Sequence, residues 1–373
     1  MNFEQTISYI SVFALSVCFN YGLNKLYRKF RLHDAISNRS SHVGFPTRTG
    51  GLAIFLSLLI YYIISFFTDT KIYPPILCAL AFIIISILGF LDDLYDLNHK
   101  IKLVIQLICG GLIIYGGSYI ESFFGVFGIT ELPYVVSVGV TLFVFIVIIN
   151  AVNLVDGIDS LSSQLFIIPT GVIAYLLFES NVLLPKLFGL YLTAIIAYLI
   201  FNLRKKNKVF LGDTGSLLLG STLAYFIFLL LDNDISIITD SKINRGYLSV
   251  LLILYPLSDT LRVFSLRIKN RTSPFIADRN HLHHKLIDKG YYQLLNKKMI
   301  EKFSIENPNL TKEQIIFYLN NYKELRLRWW RREGELSARR AGAAILIGIA
   351  VGTGALVANV GGEYTAATAG LTA

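Results

Sequence analysis

Three observations predict an all-α fold, a polytopic bundle of about ten transmembrane helices. Hydrophobic residues make up 54% of the 373 residues and charged residues only 16%, whereas soluble proteins carry roughly 25% charged residues. Apolar runs close to the roughly 20 residues that cross a bilayer recur along the chain. Basic residues collect on alternate connections between these runs, as they do in membrane proteins. The chain is therefore predicted to be an integral membrane protein.

The candidate spans are the apolar runs of the chain. They lie near residues 5–23, 51–67, 73–91, 102–117, 134–149, 165–179, 183–202, 210–231, 247–265 and 341–360, of which the last is the weakest. No basic segment precedes the first run and no small-residue cleavage site follows it, so we interpret it as a retained helix and not as a signal peptide. Cys18, Cys78 and Cys109 lie inside apolar runs, which fits neither a disulfide framework nor a zinc site.

The basic residues predict the orientation. They concentrate after the first, third, seventh and ninth runs, in residues 25–48, 100–102, 204–208 and 267–289. By the positive-inside rule these connections face the cytoplasm, so the amino terminus is expected outside. Basic inner loops that face anionic lipid headgroups account for the net charge of +9. No nucleic-acid partner is needed to explain that charge.

Four polar motifs fall on that same predicted side. FLDDLYDLNHK follows the third run, NAVNLVDGIDS follows the fifth, VFLGDTGSLLLG opens the eighth, and TSPFIADRNHLHHKLIDKG follows the ninth. An active site is therefore expected on the cytoplasmic face.

Two of these motifs place carboxylates at helix ends. Asp92 and Asp93 end an apolar run, where an ionised carboxylate costs a few kcal/mol or more if it lies in hydrocarbon; a solvated helix end is the alternative. Asp213 stands among Gly212 and Gly215 at a helix start. It either caps free N–H groups or belongs to a site where backbone amides approach a phosphate.

The NAVNLVDGIDS motif carries four polar side chains within ten residues. Asp156 and Asp159 stand three apart, near one face of a helix, with Asn153 and Asn150 about one and two turns before Asp156. Helix capping is the alternative interpretation. Capping alone does not require four such groups.

The last motif gathers cations around one turn. His281, His283 and His284 stand between Arg279 and Lys285, with no cysteine or glutamate in a zinc-like arrangement. Anion recognition is the favoured interpretation, and a surface histidine run is the alternative.

Taken together, the motifs predict a site that holds polyanions with a hard cation at the membrane surface. Mg²⁺ is usually bound by one or two carboxylates together with substrate phosphates. Carboxylates, asparagine carbonyls and cationic donors thus suit phosphoryl transfer from a diphosphate. The membrane setting makes one substrate a lipid.

The four motifs, in this order, resemble those of the polyprenyl-phosphate N-acetylhexosamine-1-phosphate transferases, over roughly residues 5–292. The H-x-H-H spacing is more similar to the branch that initiates O-antigen (lipopolysaccharide) and teichoic acid synthesis than to the peptidoglycan branch, the phospho-MurNAc-pentapeptide transferases. The resemblance implies a transfer of HexNAc-1-phosphate from a UDP-HexNAc donor to undecaprenyl phosphate. The products would be undecaprenyl-diphospho-HexNAc and UMP, in the first membrane step of a cell-surface glycan.

The resemblance also implies roles for particular residues. Asp213 and Asn153 match positions that hold Mg²⁺, for which Mn²⁺ is the expected substitute. Phe210 matches the aromatic side chain that stacks on uracil, and Asp159 matches a residue near the uracil edge. Asp156 is assigned only to the surroundings of the substrate.

Further residues match positions around the phosphates. Asp92 and Asp93 match the paired acids near the lipid phosphate, where direct attack and a covalent aspartyl intermediate are both open. Lys102 matches a basic position near the diphosphate or the sugar. The closing loop matches at Arg279, His281, His283 and His284.

Arg48 is the weakest of these matches. It precedes Thr49 and the Gly50–Gly51 pair, whereas the family more commonly places an arginine directly before the glycines. The resemblance therefore implies a nucleotide or phosphate contact for Arg48 from a motif that matches only in part. The expected partners are undecaprenyl phosphate, the UDP-HexNAc donor and membrane lipid, with a homodimer left open, in the cytoplasmic (inner) membrane of a bacterium.

The resemblance ends near residue 292. We predict a transmembrane phosphoglycosyltransferase domain at 1–292, a polar or amphipathic segment at 293–340, and a last helix with a tail at 341–373. Arginines without lysines replace the earlier Lys-rich composition from Leu325 onward, which indicates a junction there. A fusion partner, a mis-joined tail and a native extension all fit that change. The segment around Trp329 and Trp330 has the spacing of a surface helix on the inner leaflet.

Three other function classes fit the sequence less well. A transporter would hold its acids near the membrane midplane, whereas these acids sit at the ends of the runs on one face. A CDP-alcohol phosphotransferase would carry a dense aspartate signature on two successive helices, which is missing. A receptor or scaffold that has lost catalysis is disfavoured by the intact acids.

Overall fold

The computed structural model describes residues 3–30, 46–68, 74–156, 160–178, 183–204, 207–232 and 244–269. These residues form helices, and no β-strand occurs among them. The helices are α1 (Phe3–Lys29), α2 (Gly50–Phe67), α3 (Ile76–Tyr95), α4 (His99–Tyr115), α5 (Tyr134–Val155), α6 (Leu161–Leu176), α7 (Leu183–Asn202), α8 (Gly212–Leu230), α9 (Arg245–Leu252) and α10 (Leu254–Lys269). The all-α prediction is confirmed for this part of the chain.

The apolar runs predicted between residues 5 and 265 all coincide with helices. Helices α1, α2, α3, α5, α7 and α8 are long and apolar enough to cross a membrane, and α9 with α10 makes a further candidate span bent by 63°. Helices α4 and α6 have 17 and 16 residues, short of the roughly 20 that a full span needs. The chain is a polytopic helical membrane protein, and the count of about ten spans stays a prediction.

The predicted domain at 1–292 is described as far as residue 269. The segments 293–340 and 341–373, with the weakest apolar run and the junction near Leu325, lie outside the described residues. The domain boundaries therefore stay predictions. Cys18, Cys78 and Cys109 are free thiols, in agreement with the expected absence of a disulfide framework.

Helix α8 forms the centre of the bundle. Its residues from Thr214 to Leu230 are all buried, and it packs against α2, α3, α5 and α6. A helix that is apolar around its whole circumference is stable only where other elements surround it. The outer helices instead expose large apolar side chains, for example Ile101, Val104 and Ile108 on α4. These side chains suit a surface in contact with hydrocarbon.

Glycines bring neighbouring helices close to the first turn of α8. A Cβ atom on Gly89 of α3 would lie 2.5 Å from the Asp213 carbonyl oxygen, and one on Gly51 of α2 would lie 2.1 Å from the Gly215 nitrogen. Neither position has room for a side chain. Small residues at helix contacts are typical of membrane proteins, where close van der Waals packing holds helices together. The start of α2 and the end of α3 therefore both meet the start of α8.

This packing predicts a difference between two glycines. Gly89→Ala should lower the melting temperature in detergent, because overpacking a tight helix contact costs about 1–3 kcal/mol. Gly111→Ala on α4 is the control, because a Cβ there meets nothing within 4 Å. It should leave the melting temperature unchanged or raise it slightly, since alanine favours a helix over glycine. Equal melting temperatures for the two variants would contradict the close contact between α3 and α8.

Candidate active site

Three carboxylates meet where α3 ends and α8 begins. Asp92 and Asp93 lie in the last turn of α3 and Asp213 in the first turn of α8. The carboxyl groups of Asp92 and Asp213 contact each other, and Asp93 acts on Asp213 through its charge. The structure thus brings together three acids that lie on two separate sequence motifs.

Asp93 caps α8 from a different helix. Its Oδ1 accepts a hydrogen bond from the Asp213 N–H at 2.9 Å, and its Oδ2 accepts from the Thr214 N–H at 3.0 Å and the Thr214 hydroxyl at 2.9 Å. Leu211, at the N-cap position of α8, provides no side-chain cap. A carboxylate is favourable there because the first N–H groups of a helix lack partners and carry partial positive charge. The capping interpretation of an aspartate at this helix start thus applies to Asp93, not to Asp213.

Asp92 faces a different set of partners. Its Oδ1 accepts from the Leu97 N–H at 2.8 Å, and its Oδ2 pairs with the ammonium group of Lys102 at the start of α4. The residue is only 5% exposed. A buried carboxylate of this kind requires a cationic partner, since an unpaired charge in a low dielectric is costly. Lys102 therefore lies at the carboxylate cluster, and its role near the diphosphate or the sugar stays a prediction.

Helix α5 reaches the same cluster through Asn153. Its amide nitrogen donates to Asp213 Oδ1 at 2.9 Å and to the Ser216 hydroxyl at 2.9 Å. The predicted pair Asp213 and Asn153 is therefore in direct contact. In this arrangement the Asn153 amide fixes the orientation of the Asp213 carboxylate.

One turn deeper, Asn150 pairs with a residue that the sequence analysis did not single out. The Asn150 amide nitrogen donates to Gln106 Oε1 at 2.9 Å, and the Gln106 amide nitrogen donates back at 3.5 Å. Gln106 on α4 is 2% exposed and stands four residues after Lys102, on the same helix face. The sequence does carry a signal for Gln106, because a glutamine inside an apolar run and one turn from Lys102 indicates a polar contact between helices. The pair ties α4 to α5 beneath the carboxylates.

Asp156 lies at the C-cap of α5 and accepts a hydrogen bond from the Ser162 hydroxyl on α6. Ser162 is buried and was also missed in the sequence. This contact joins the two ends of the connection between α5 and α6. Asp159 within that connection lies outside the described residues.

Phe210 and Arg48 lie on neighbouring segments beside the cluster. The Phe210 ring has the Lys208 ammonium 5.5 Å from its centroid. A guanidinium nitrogen of Arg48 lies 3.8 Å from Asp93 Oδ1, and the Arg48 side chain is 42% exposed. Arg48 is thus close enough to act on the carboxylates while its side chain remains open to a ligand.

The predicted closing loop follows α10 in the sequence. Arg279, His281, His283 and His284 lie outside the described residues. Their assignment to the diphosphate and the sugar stays a prediction.

The donor chemistry of the cluster fits Mg²⁺. Asp92 and Asp213 offer adjacent carboxylate oxygens, which are the ligands that this hard cation prefers. Among the described residues, no group of three or more His, Cys, Asp or Glu side chains forms a metal cage. Mg²⁺ commonly needs only one or two carboxylates, because substrate phosphates and water complete its shell. The residues fit an ion that arrives with a phosphate substrate.

Comparison with known proteins adds an independent finding. The family model of glycosyl transferase family 4 matches residues 75–231. The chain is 29% identical over 292 residues to an undecaprenyl-phosphate alpha-N-acetylglucosaminyl 1-phosphate transferase of Yersinia pestis, covering 76% of each chain. The protein of the same name from Escherichia coli K12 is 29% identical over 293 residues, again covering 76% of each. A probable undecaprenyl-phosphate N-acetylglucosaminyl 1-phosphate transferase of Bacillus subtilis is 32% identical over 261 residues, 69% of this chain and 70% of that relative.

The capping geometry predicts a structural role for Asp93. Asp93→Ala removes three accepted hydrogen bonds from the first turn of α8, so the free energy of unfolding should fall by about 1–3 kcal/mol. Thermal or denaturant unfolding in detergent measures this change. Asp96→Asn is the control, because Asp96 is exposed and asparagine tolerates its left-handed backbone. A wild-type melting temperature for Asp93→Ala would show that Asp93 does not stabilise α8.

Proposed function

This chain belongs to glycosyl transferase family 4, as its motifs predicted, and we propose that it transfers an N-acetylhexosamine 1-phosphate from a UDP-HexNAc donor to undecaprenyl phosphate. The products are undecaprenyl-diphospho-HexNAc and UMP. The names of the relatives support undecaprenyl phosphate as the acceptor and N-acetylglucosamine as the sugar. The observation that carries the proposal is the convergence of Asp92, Asp93, Asp213 and Asn153 with Lys102 at one end of the central helix.

We propose direct attack by the acceptor. An oxygen of the lipid phosphate attacks the phosphorus that carries the sugar, the bond to the UMP oxygen breaks, and UMP leaves. Both oxygens of Asp93 accept hydrogen bonds from α8, which makes Asp93 a poor nucleophile. The Asp92 carboxylate accepts one backbone hydrogen bond and is otherwise paired with Lys102, so it is the better candidate to orient or deprotonate the lipid phosphate. This division of roles favours direct attack over a covalent aspartyl intermediate.

The cations have a separate role. Lys102 would stabilise the negative charge that the transition state spreads over the phosphate oxygens. Arg48 would bind the diphosphate or the nucleotide, and its 3.8 Å distance from Asp93 together with its exposed side chain supports this role. Mg²⁺, or Mn²⁺ in its place, would be held by Asp213 with Asp92 or Asn153, and when bound it would neutralise charge on the departing UMP. Phe210 would stack on uracil.

The placement of charge supports the proposed orientation. Arg28, Arg48, Lys102 and Lys208 lie at the same ends of the helices as the carboxylates. By the positive-inside rule, this end faces the cytoplasm and the amino terminus lies outside. We propose that the protein lies in the cytoplasmic membrane of a bacterium and crosses it about ten times. A homodimer is the assembly to test.

The structure gives no support to the other function classes. A transporter would place its acids near the midplane between broken helices, whereas these carboxylates occupy the last turn of α3 and the first turn of α8. The relatives carry N-acetylglucosaminyl names, which favours the sugar-phosphate initiating branch over the peptidoglycan branch.

The proposal is tested by lipid-linked product formation. Membranes that contain the full chain should convert radiolabelled UDP-GlcNAc to a lipid-extractable product when undecaprenyl phosphate and Mg²⁺ are added. Asp213→Ala should lower kcat/KM by about 100-fold or more, since losing a charge-stabilising group of this kind costs several kcal/mol. A chelator should abolish turnover, and Mg²⁺ or Mn²⁺ should restore it.

Asp96→Asn again serves as the matched control and should retain wild-type turnover, because the exposed Asp96 carboxylate lies outside the cluster. No product from folded protein with any of a panel of UDP-HexNAc donors would refute the transferase proposal. Full activity of Asp213→Ala would refute only the assignment of the metal.

A further inference from the structure

The amino-terminal helix contributes a buried amide to the segment that precedes α8. Asn24, in the last turns of α1, is 6% exposed. Its nitrogen donates to the Asn207 carbonyl at 2.9 Å, and its oxygen accepts from the Thr47 hydroxyl at 3.1 Å and from Arg28 Nε at 2.9 Å. One side chain thus joins α1, the segment before α2 and the segment before α8.

Those two segments are also paired with each other through their backbones. The Phe210 N–H donates to the Thr47 carbonyl at 2.8 Å, and the Gly50 N–H donates to the Phe210 carbonyl at 2.9 Å. Thr47 and Val209 form an isolated parallel bridge. Both the N–H and the carbonyl of Phe210 are therefore hydrogen-bonded to residues on either side of Arg48 in the sequence.

The hydrogen-bond network of Asn24 and Thr47 is buried, although little of α1, the helix that carries Asn24, is buried. Helix α1 is the least buried of the long apolar helices, with 17% of its span buried, yet Asn24 lies inside the protein and Thr47 is fully buried. Burying polar groups is favourable only when they are hydrogen-bonded, and a satisfied network holds one conformation. Apolar packing does not explain an asparagine at this position. Its contacts instead hold the two segments in place.

We infer that Asn24 is a positioning residue for the donor-nucleotide site. By fixing residues 46–49 and 207–211, it sets where Phe210 and Arg48 meet the uridine and the diphosphate. This inference rests on the proposed function for the identity of the ligand. The lipid-phosphate side of the site is held differently, because Asp92 and Lys102 are placed by α3 and α4. Loss of Asn24 should therefore weaken donor binding and leave the acceptor KM unchanged.

The test compares two buried asparagines on one helix. Asn24→Ala should raise the donor KM on the order of tenfold with little change in kcat. A tenfold change in binding corresponds to about 1.4 kcal/mol, which is within the range that the loss of buried hydrogen bonds costs. Asn20→Ala is the matched control. Asn20 is fully buried one turn earlier, and its amide nitrogen contacts only Ser16 of the same helix among the contacts described. Its donor KM should stay within about twofold of wild type.

Thr47→Val provides a second variant that does not depend on how well Asn24→Ala folds. It removes the hydroxyl donor to Asn24 and leaves the backbone pairing intact. It should raise the donor KM by a smaller factor. The double variant Asn24→Ala with Thr47→Val should raise the donor KM by less than the product of the two single fold-changes, since both residues belong to one network.

The measurements separate failure of the inference from failure of the proposed function. Equilibrium dialysis with radiolabelled UMP gives a Kd for each full-length variant, alongside the donor and acceptor KM from lipid-product assays. Weaker UMP binding for Asn24→Ala and Thr47→Val, with wild-type binding for Asn20→Ala, supports the inference even if no transfer is detected. A wild-type UMP Kd and donor KM for Asn24→Ala would overturn it while leaving the transferase intact. Equal losses in Asn24→Ala and Asn20→Ala would also overturn it, because they would reflect general destabilisation.

Discussion

The site depends on a helix cap supplied from outside the helix. Asp93, on the last turn of α3, accepts hydrogen bonds from the first N–H groups of α8. These N–H groups have no partner within their own helix, an unpaired N–H inside a protein costs free energy, and the Leu211 side chain does not cap them. The cap fixes the distance and rotation between α3 and α8. Because Asp92 precedes Asp93 and Asp213 opens α8, the same contact places the other two carboxylates side by side.

A cluster of three carboxylates is stable only with compensating charge. Coulomb repulsion between acids is strong where the surroundings are apolar. Lys102 pairs with Asp92 and Arg48 approaches Asp93, while Asn153 donates to Asp213. Within the part of the chain that the structure describes, Lys102 and Arg48 are two cations beside three acids, which leaves a remaining demand for positive charge at the site. A divalent ion that arrives with a diphosphate would meet that demand.

The position of the cluster suits a reaction between a lipid and a water-soluble nucleotide sugar. The carboxylates lie in terminal turns, at the ends of helices long enough to span a membrane. The lipid would therefore reach the site from the membrane, and the nucleotide sugar would reach it from the water. The segments around Phe210 and Arg48 are held by α1 and α2, whereas Asp92 and Lys102 are held by α3 and α4. The two halves of the site thus rest on different parts of the bundle.

The sequence by itself determined the class of protein and the residues of the cluster. Long apolar runs can only be helices in a bilayer, since every backbone group must be paired within the segment. Because the polar motifs lie on alternate connections between runs, the sequence predicts Asp92, Asp93, Asn153 and Asp213 on one membrane face, and the structure brings these four residues together. The resemblance supplied their roles, which remain proposals.

Only the tertiary structure decided which partner each side chain meets. Gln106, Ser162 and Asn24 were missed, because a contact between helices depends on the rotation and depth of both, and each residue along a helix turns the side chain by about 100°. Asp93 of α3 also caps α8, whereas the local pattern had offered Asp213 as the capping residue. Sequence spacing fixes which residues share a face of one helix, whereas the partner across the interface is set by close packing of the whole bundle.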